Sequence, residues 1–296
     1  MALRWVLQRL FAVGFFRRVL WRIWYRILTW FVHAEDVTFL NYAFEDPGGK
    51  PLSLSEEDEA SRPNIQLYDH VVTQPDKRGH PFELHGKAVL EVSCGHGGGA
   101  SWLVRTLSPA CYIGFDLNPK GIEFCRRRHQ GRHQLECLTF LQGDAEAMPF
   151  PDACFDAVVN VEASHCYPDF PKFLREVERV LRPGGVLLYA DFRWRSNKPR
   201  FAEWEGLLGQ GVDKLSGALG LLPTASSDIS AEVLRGLRLT APRSTGLIER
   251  LYPRWMQGLA HDFAGTPGSK INQLLEQGEV VYRSYRLDKP AVEPTA

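Results

Sequence analysis

A histidine and an aspartate follow two short apolar runs in this sequence, and residues of these types can work together in proton transfer. His165 comes shortly after the run 157–161, and Asp191 ends the run 186–190. A carboxylate that fixes the tautomer of an imidazole makes it a competent general base near neutral pH. If the runs are neighbouring parallel strands, both side chains lie at the carboxyl edge of the sheet, where α/β proteins bind ligands. The pattern predicts a catalytic pair; the alternatives are that His165 lines a cofactor pocket or caps the next helix.

A glycine-rich turn at residues 93–99 joins a buried apolar run to a helical stretch. Gly95 and Gly97 carry no Cβ, so a ligand can approach the backbone and the start of the following helix closely. Asp116 lies 19 residues beyond Gly97, at the end of the second apolar run, and can accept hydrogen bonds from ribose hydroxyls. These features alone do not separate a dinucleotide site from another adenosine-containing cofactor, because Gly95-x-Gly97-x-x-Ala100 also fits the dinucleotide fingerprint.

Apolar runs alternate with helical stretches from residue 86 onward, which predicts a Rossmann-like, doubly wound α/β sheet. The predicted strands are 88–92, 112–115, 139–142, 157–161 and 186–190, with helices at 98–107, 119–129 and 169–181. Beyond residue 191, helical patterns predict a cap at 200–208, 231–237, 244–262 and 269–277. The alternating run 279–287 predicts an edge strand.

These patterns divide the chain into six segments. They are a basic, aromatic, amphipathic helical segment (1–34), an acidic linker with a lid helix (35–85), a cofactor-binding core (86–195), a helical cap with remaining core elements (196–278), the last strand (279–288) and a tail (289–296).

Charge and cysteine usage exclude several classes of protein. The chain has 35 basic and 35 acidic residues, which argues against a nucleic-acid-binding surface. Its six cysteines are scattered without a C-x-x-C pair, which argues against a metal or disulfide framework and favours reduced thiols in the cytoplasm.

The first 33 residues carry six arginines and no acid. Their apolar runs are shorter than the roughly 20 residues needed to cross a bilayer. Arg18, Arg22 and Arg26 share one helix face, opposite aromatic residues that include Trp24. We expect an amphipathic helix that packs on the core with its arginines in water; the alternative is a helix lying on a membrane surface.

Three downstream stretches distinguish the two kinds of cofactor site. Residues 143–150, 155–159 and 181–185 read Gly-Asp-Ala-Glu-Ala-Met-Pro-Phe, Phe-Asp-Ala-Val-Val and Leu-Arg-Pro-Gly-Gly. Together with the glycine turn they resemble the class I S-adenosylmethionine-dependent methyltransferases, and the match covers residues 86–192. The resemblance implies S-adenosylmethionine as the cofactor. No metal is predicted, because the acids near the cleft all have better-matched roles.

The resemblance also implies cofactor contacts residue by residue. Glu91 orients the glycine turn around the methionine moiety, Asp116 binds the ribose, and Asp144 accepts from the adenine amino group. Ser93 stands where the family usually has Gly and is small enough to keep the turn. Tyr68 is predicted to close over the methionine carboxylate, with plain packing as the alternative. The predicted cofactor-binding residues are Tyr68, Glu91, Ser93, Gly95, Gly97, Asp116, Leu117, Asn118, Asp144, Ala145 and Val161.

A closer resemblance concerns the acceptor. Residues 162–165 with Asp191 are similar to the rebeccamycin-type sugar O-methyltransferases, in which a matched His and Asp act as a dyad. Residues 90–101, 161–168 and 231–236 resemble the mycobacterial phthiotriol/phenolphthiotriol dimycocerosate methyltransferases, a likeness that extends over nearly the whole chain. It implies O-methylation of a hydroxyl on a hydrophobic lipid, polyketide or other secondary-metabolite acceptor.

Glu162, Trp24 and Trp255 are the candidate acceptor contacts. The alternatives within the enzyme class are C- or N-methylation and a cofactor-dependent cyclisation. The alternative from another class is a membrane-associated scaffold with a cofactor-binding fold. The oligomeric state stays open.

Overall fold

Seven strands form one mixed sheet in the computed structural model, which describes residues 37–195 and 219–291. The strands are β1 (Ala88–Val92), β2 (Cys111–Asp116), β3 (Leu138–Gln142), β4 (Phe155–Val161), β5 (Leu181–Trp194), β6 (Leu222–Asp228) and β7 (Val280–Asp288). Their order is β3-β2-β1-β4-β5-β7-β6. Strands β1 to β5 are parallel, and β7 runs antiparallel to both β5 and β6.

The helices of the described ranges flank this sheet. They are α1 (Glu56–Glu59), α2 (Arg62–Thr73), α3 (Gly98–Leu107), α4 (Pro119–His129), α5 (Phe170–Val180), α6 (Ser230–Leu251), α7 (Arg254–Ala264) and α8 (Lys270–Glu276), with 3₁₀ turns at His133–Leu135 and Ser164–Cys166. Local chemistry sets several helix starts. Asn118 and Asp169 cap α4 and α5 by accepting backbone N–H bonds, and each helix carries a proline in its first turn.

Apolar side chains cover both faces of the central strands. One cluster packs α2, α3 and α4 against the sheet through residues such as Leu67, Leu103 and Ile122. A second packs α5 on the opposite face through Phe173 and Val177. Burial on both faces explains why the central strands read as continuous apolar runs, and it confirms the Rossmann-like, doubly wound fold.

One prediction about the last third of the chain is wrong. Strand β7 lies between β5 and β6, so it is not an edge strand. The edge is β6, which lies within the segment predicted to be a helical cap with remaining core elements. Its sequence, Leu-Pro-Thr-Ala-Ser-Ser-Asp, lacks apolar alternation, and every one of its side chains is exposed or half-buried.

The helical patterns of this region also join differently. The separate predicted helices at 231–237 and 244–262 are replaced by the 22-residue α6 and by α7, with a break at Pro253. The predicted turn at 182–185 lies inside β5 as an irregularity opposite Asp156. The predicted helices at 1–34 and 200–208 fall outside the described residues. Among the helices that are described, none is both long and apolar enough to cross a bilayer.

Candidate active site

The structure brings His165 and Asp191 together at the carboxyl edge of the sheet. Neighbouring strands β4 and β5 end there, and His165 Nδ1 lies 2.8 Å from Asp191 Oδ1. The imidazole is partly exposed, while Asp191 is only 1% exposed. With Nδ1 occupied, Nε2 on the far side of the ring is the nitrogen that can meet a ligand.

Asp191 is held by hydrogen bonds to both of its carboxylate oxygens. Oδ2 accepts from the Ser164 hydroxyl (2.7 Å) and the His165 backbone N–H (2.9 Å), and Oδ1 accepts from the Phe192 N–H (2.8 Å). Burial opposes ionisation, but the His165 charge and these hydrogen bonds keep the pKa of Asp191 below its ordinary value. Asp191 is therefore a fixed, ionised partner for the imidazole.

The pair also sets the protonation of His165. Burial lowers the pKa of His165, whereas the Cys166 and Asp191 side chains raise it, and the net pKa lies well above the ordinary histidine value. The ion pair with Asp191 therefore favours the imidazolium form over the neutral ring.

Glu162 is a second acid beside this pair, and its backbone is in the left-handed region (φ 54°) at the end of β4. Its Oε2 accepts from the Tyr42 backbone N–H (2.7 Å) and from the Tyr282 hydroxyl (2.8 Å). Burial raises the pKa of Glu162 to about 8, although the hydrogen bond from Tyr42 and the charge of His165 oppose this shift. At neutral pH, the site combines a neutral Glu162 with the His165–Asp191 ion pair.

The glycine turn leads from β1 into α3 with left-handed backbone at Ser93 (φ 61°), Gly95 (φ 56°) and Gly97 (φ 75°). A Cβ on Gly97 would lie 2.7 Å from the Phe140 ring, so here the protein's own packing also requires glycine. Non-glycine residues rarely adopt this conformation, and such strain gathers at functional sites. Ser93 tolerates it while its hydroxyl lies 2.7 Å from the Tyr167 hydroxyl.

An N-terminal strap, residues 37–44, crosses the glycine turn. The Gly98 N–H donates to the Thr38 carbonyl (3.2 Å), and His96 Nδ1 lies 2.7 Å from the Val37 carbonyl oxygen. A Cβ on Gly95 would lie 3.1 Å from the Leu40 side chain. The strap therefore covers the turn that the sequence assigned to the cofactor.

Asp116 ties the turn to the end of β2. It is 5% exposed and accepts from the Gly95 N–H (2.9 Å) and the Asn118 N–H (2.8 Å). Burial raises the pKa of Asp116 to about 6, against the lowering effect of these two bonds. A carboxylate has about four lone-pair positions, so two remain for ribose hydroxyls.

Glu91 is buried beneath the turn and accepts hydrogen bonds from two tyrosines. The Tyr68 hydroxyl donates to Oε1 (2.9 Å) and the Tyr112 hydroxyl to Oε2 (2.8 Å). Burial raises the pKa of Glu91 to about 7, and the two tyrosine bonds oppose that rise. Tyr68 has one hydroxyl proton and donates it to Glu91. Tyr68 can therefore donate to a cofactor carboxylate only if its hydrogen bond to Glu91 is broken.

The remaining predicted cofactor residues lie along the same edge. Asp144 Oδ1 accepts from the Glu146 N–H (2.9 Å), and Ala145 beside it is buried. Leu117 is 43% exposed, and Asn118 caps α4. Val161, at the end of β4, is buried.

Of the predicted acceptor residues, Glu162 lies beside the His165–Asp191 pair. Trp24 lies outside the described residues, and Trp255 is 77% exposed on α7. Two aromatic residues that were not predicted from the sequence, Phe192 and Tyr42, lie on one side of the pair. Phe192 lies 4.3 Å from the His165 ring and stacks on Tyr42. Phe192 directly follows Asp191 in sequence, which is a usable signal; nothing in the sequence points to Tyr42.

The residues at this edge fit the chemistry of S-adenosylmethionine, which has an ammonium group, ribose hydroxyls and an adenine amino group to donate. Asp116 and Asp144 offer acceptors for such donors. Asn160 is fully buried where β4 ends, and its Oδ1 has no hydrogen-bond partner among the described residues. A buried acceptor without a partner is unfavourable unless a ligand satisfies it. In the part of the chain that is described, no three His, Cys, Asp or Glu side chains are grouped to hold a metal ion.

Comparison with known proteins connects this arrangement to methyl transfer. The family described as "Methyltransferase domain" matches residues 90–189. The phthiotriol/phenolphthiotriol dimycocerosates methyltransferase of Mycobacterium leprae is 45% identical over 274 residues, covering 93% of this chain and 93% of that protein. A fatty-acid O-methyltransferase of Mycolicibacterium smegmatis is 42% identical and covers 90% of this chain and 89% of its own length. A solved cyclopropane synthase from Mycobacterium tuberculosis has a TM-score of 0.65 at 15% identity, covering 88% of this chain and 95% of that one.

Proposed function

Since the chain belongs to the class I S-adenosylmethionine-dependent methyltransferases, in the phthiotriol/phenolphthiotriol dimycocerosate group, we propose that it methylates a hydroxyl oxygen of a hydrophobic lipid or polyketide-like acceptor. The observation that carries the proposal is the 2.8 Å contact between His165 Nδ1 and the buried, ionised Asp191. The names of two relatives, which refer to dimycocerosates and to fatty acids, support a hydrophobic acceptor.

The cofactor site of this proposal runs along the carboxyl edge of β1, β2 and β3. When bound, S-adenosylmethionine supplies the methyl group and leaves as S-adenosylhomocysteine. Asp116 would hold the ribose, Asp144 and Ala145 the adenine, and the turn containing Gly95 and Gly97 the methionine moiety. The other cofactor contacts in this proposal are made by Ser93, Leu117, Asn118 and Val161.

His165 would take the proton from the acceptor hydroxyl through Nε2 as the oxygen gains the methyl group. Asp191 holds the ring in the tautomer that leaves Nε2 free to accept, and it stabilises the imidazolium that forms. Glu162, neutral at this pH, can donate a hydrogen bond to the acceptor and position it. Proximity and general-base assistance are sufficient for a direct displacement, and no covalent enzyme intermediate is needed.

The test is methylation of a long-chain secondary alcohol and of a total lipid extract, dispersed in detergent, with isotope-labelled S-adenosylmethionine. Mass spectrometry of the products identifies a methyl ether and separates it from C- or N-methylation. His165→Ala should lower kcat by about 10²- to 10⁴-fold with nearly unchanged cofactor affinity. Asp191→Asn should lose no more than this, and the double variant should be no worse than His165→Ala.

A His165→Ala enzyme that keeps most of its kcat would contradict the proposal. Losses that add strictly would mean two independent roles for the residues. We propose that the reaction needs no divalent metal, so the same assay with excess chelator should give the same rate. A loss that magnesium restores would overturn that part.

A second candidate is methyl ester formation on a fatty acid, and one observation favours it. His165 is partly exposed and lies 2.8 Å from Asp191, and its pKa is raised, which favours an imidazolium that can pair with an acceptor carboxylate. A carboxylate is already ionised and needs no base.

The pH dependence of kcat/KM separates the two candidates. For a hydroxyl acceptor, His165 must be neutral, so the rate should rise as pH increases through its raised pKa. For oleic acid, His165 must be charged, so the rate should fall over the same range.

We also propose that the enzyme is cytoplasmic and contacts the membrane surface through residues 1–34. Removing these residues should lower binding to anionic vesicles.

A further inference from the structure

A chain of buried polar side chains connects Asp191 to Arg193. Tyr189, Asp191 and Arg193 alternate along β5 and therefore point to the same face of the sheet. Arg193 Nη2 lies 2.9 Å from the Tyr189 hydroxyl, which lies 2.6 Å from Ser164 Oγ. Ser164 Oγ in turn lies 2.7 Å from Asp191 Oδ2. All four residues are less than 8% exposed.

The two ends of this chain determine the direction of every hydrogen bond. A guanidinium can only donate, so Tyr189 accepts from Arg193. An ionised carboxylate can only accept, so Ser164 gives its single proton to Asp191. Tyr189 must therefore donate its proton to Ser164. One arrangement of protons satisfies all three contacts, and it points from a buried cation to the carboxylate that holds His165.

We propose that Arg193, Tyr189 and Ser164 form a positioning relay that fixes Asp191 and limits the basicity of the His165–Asp191 pair; this rests on the function proposed above. None of the three needs to touch the acceptor. They act on Asp191 alone, by holding Oδ2 and by drawing electron density from it.

The relay has a definite electrostatic sign. Hydrogen bonds that are chained in a low-dielectric interior polarise one another. A carboxylate stabilised by this chain and by the Arg193 charge binds the imidazolium less strongly. Breaking the chain leaves Asp191 more basic, so His165 holds its proton to higher pH.

Tyr189→Phe breaks the chain at its centre and keeps the ring. Arg193 lies over the rings of both Tyr189 and Tyr285, at 5.4 and 4.8 Å from their centroids. Arg193 Nη1 also donates to the Tyr285 hydroxyl (3.2 Å). Tyr285→Phe is therefore a matched control, because it removes a hydroxyl from the same cation but leaves the path to Asp191 intact.

The measurement is an NMR titration of the His165 imidazole in the full chain with S-adenosylhomocysteine added, which needs no acceptor. Tyr189→Phe should raise the His165 pKa by about half a unit to one unit, the size expected for one hydrogen bond. Ser164→Ala should give a similar rise, and the Tyr189→Phe/Ser164→Ala double variant should add little. Tyr285→Phe should leave the His165 titration unchanged.

A His165 pKa that falls, stays constant or moves equally in Tyr189→Phe and Tyr285→Phe would overturn the relay. If Tyr189→Phe does not fold, the comparison of Ser164→Ala with Tyr285→Phe decides by the same criterion. The proposed function fails separately, through full turnover by His165→Ala. In the methylation assay, the relay predicts that Tyr189→Phe lowers kcat roughly 3- to 10-fold at neutral pH, with the rising limb of the pH profile moved upward.

Discussion

Glu91→Gln tests the buried acid beneath the glycine turn through the pH dependence of folding. Glu91 is 1% exposed, and its pKa in the folded state is about 7, compared with an ordinary value of 4.5. Since the folded pKa is the higher one, the folded state keeps a proton that the unfolded chain has lost. The contribution of Glu91 to the free energy of unfolding must therefore fall as pH rises from about 4.5 to about 7, and it is constant above that range.

The magnitude follows from the pKa difference. Each pKa unit is worth about 1.4 kcal/mol, so ionising Glu91 in place removes about 3 kcal/mol from stability at alkaline pH. Glutamine has the shape of the protonated acid and can still bond to Tyr68 and Tyr112. Glu91→Gln should match the wild type at about pH 5 to within roughly 1 kcal/mol and exceed it by about 2 to 3 kcal/mol at about pH 8.

Urea denaturation followed by tryptophan fluorescence at both pH values measures this difference. Glu123→Gln, an exposed substitution of the same type on α4, is the matched control and should show no comparable pH-dependent gain. A Glu91→Gln advantage that is the same at both pH values, or a wild type that is the more stable protein at about pH 8, would refute the raised pKa of Glu91.

Two further predictions concern the cofactor site. S-adenosylmethionine should bind more weakly as pH falls through about 6, where Asp116 gains a proton. Asp116→Asn should bind the cofactor roughly tenfold more weakly at neutral pH and should lose this pH dependence. A calorimetric affinity equal to that of the wild type would contradict the assignment of Asp116 to the ribose. Gly99→Ala should destabilise the protein by several kcal/mol in thermal melts, because the new Cβ would lie 2.1 Å from the Tyr68 ring. Gly258→Ala on α7 is the control, because nothing lies within 4 Å of its new Cβ. This variant should be neutral or stabilised by up to about 1 kcal/mol. Equal melting temperatures for the two variants would show that the contact between residue 99 and Tyr68 relaxes freely.

The parallel half of the fold was predictable because its signals are local. Buried strands read as apolar runs, and Asn118 and Asp169 mark helix starts through their own side chains. Strand β6 was missed because an edge strand of polar residues has no such pattern. The position of β7 inside the sheet depends on its pairing with β6, which is a contact between distant parts of the chain and leaves no local pattern in the sequence.

The site divides in the same way. The meeting of His165 with Asp191 followed from the adjacency of β4 and β5, which the sequence order of an α/β sheet suggests. Their surroundings did not follow. Tyr282 reaches Glu162 from 120 residues away, and no spacing rule connects positions so far apart. Tyr189 was not predicted either, although it lies two residues before Asp191 on the same strand and therefore on the same face.

The N-terminal strap is part of the smallest fragment of this enzyme that we expect to be active. The region that matches the methyltransferase family starts at residue 90, yet the strap that covers its glycine turn includes Val37, more than fifty residues earlier. A truncated protein that begins at β1 would lose the Thr38 carbonyl from the first turn of α3 and the Tyr42 N–H from Glu162. Truncated or fused forms of the protein should therefore keep residues 37–44. A protease cut within these residues should abolish activity while leaving the sheet intact.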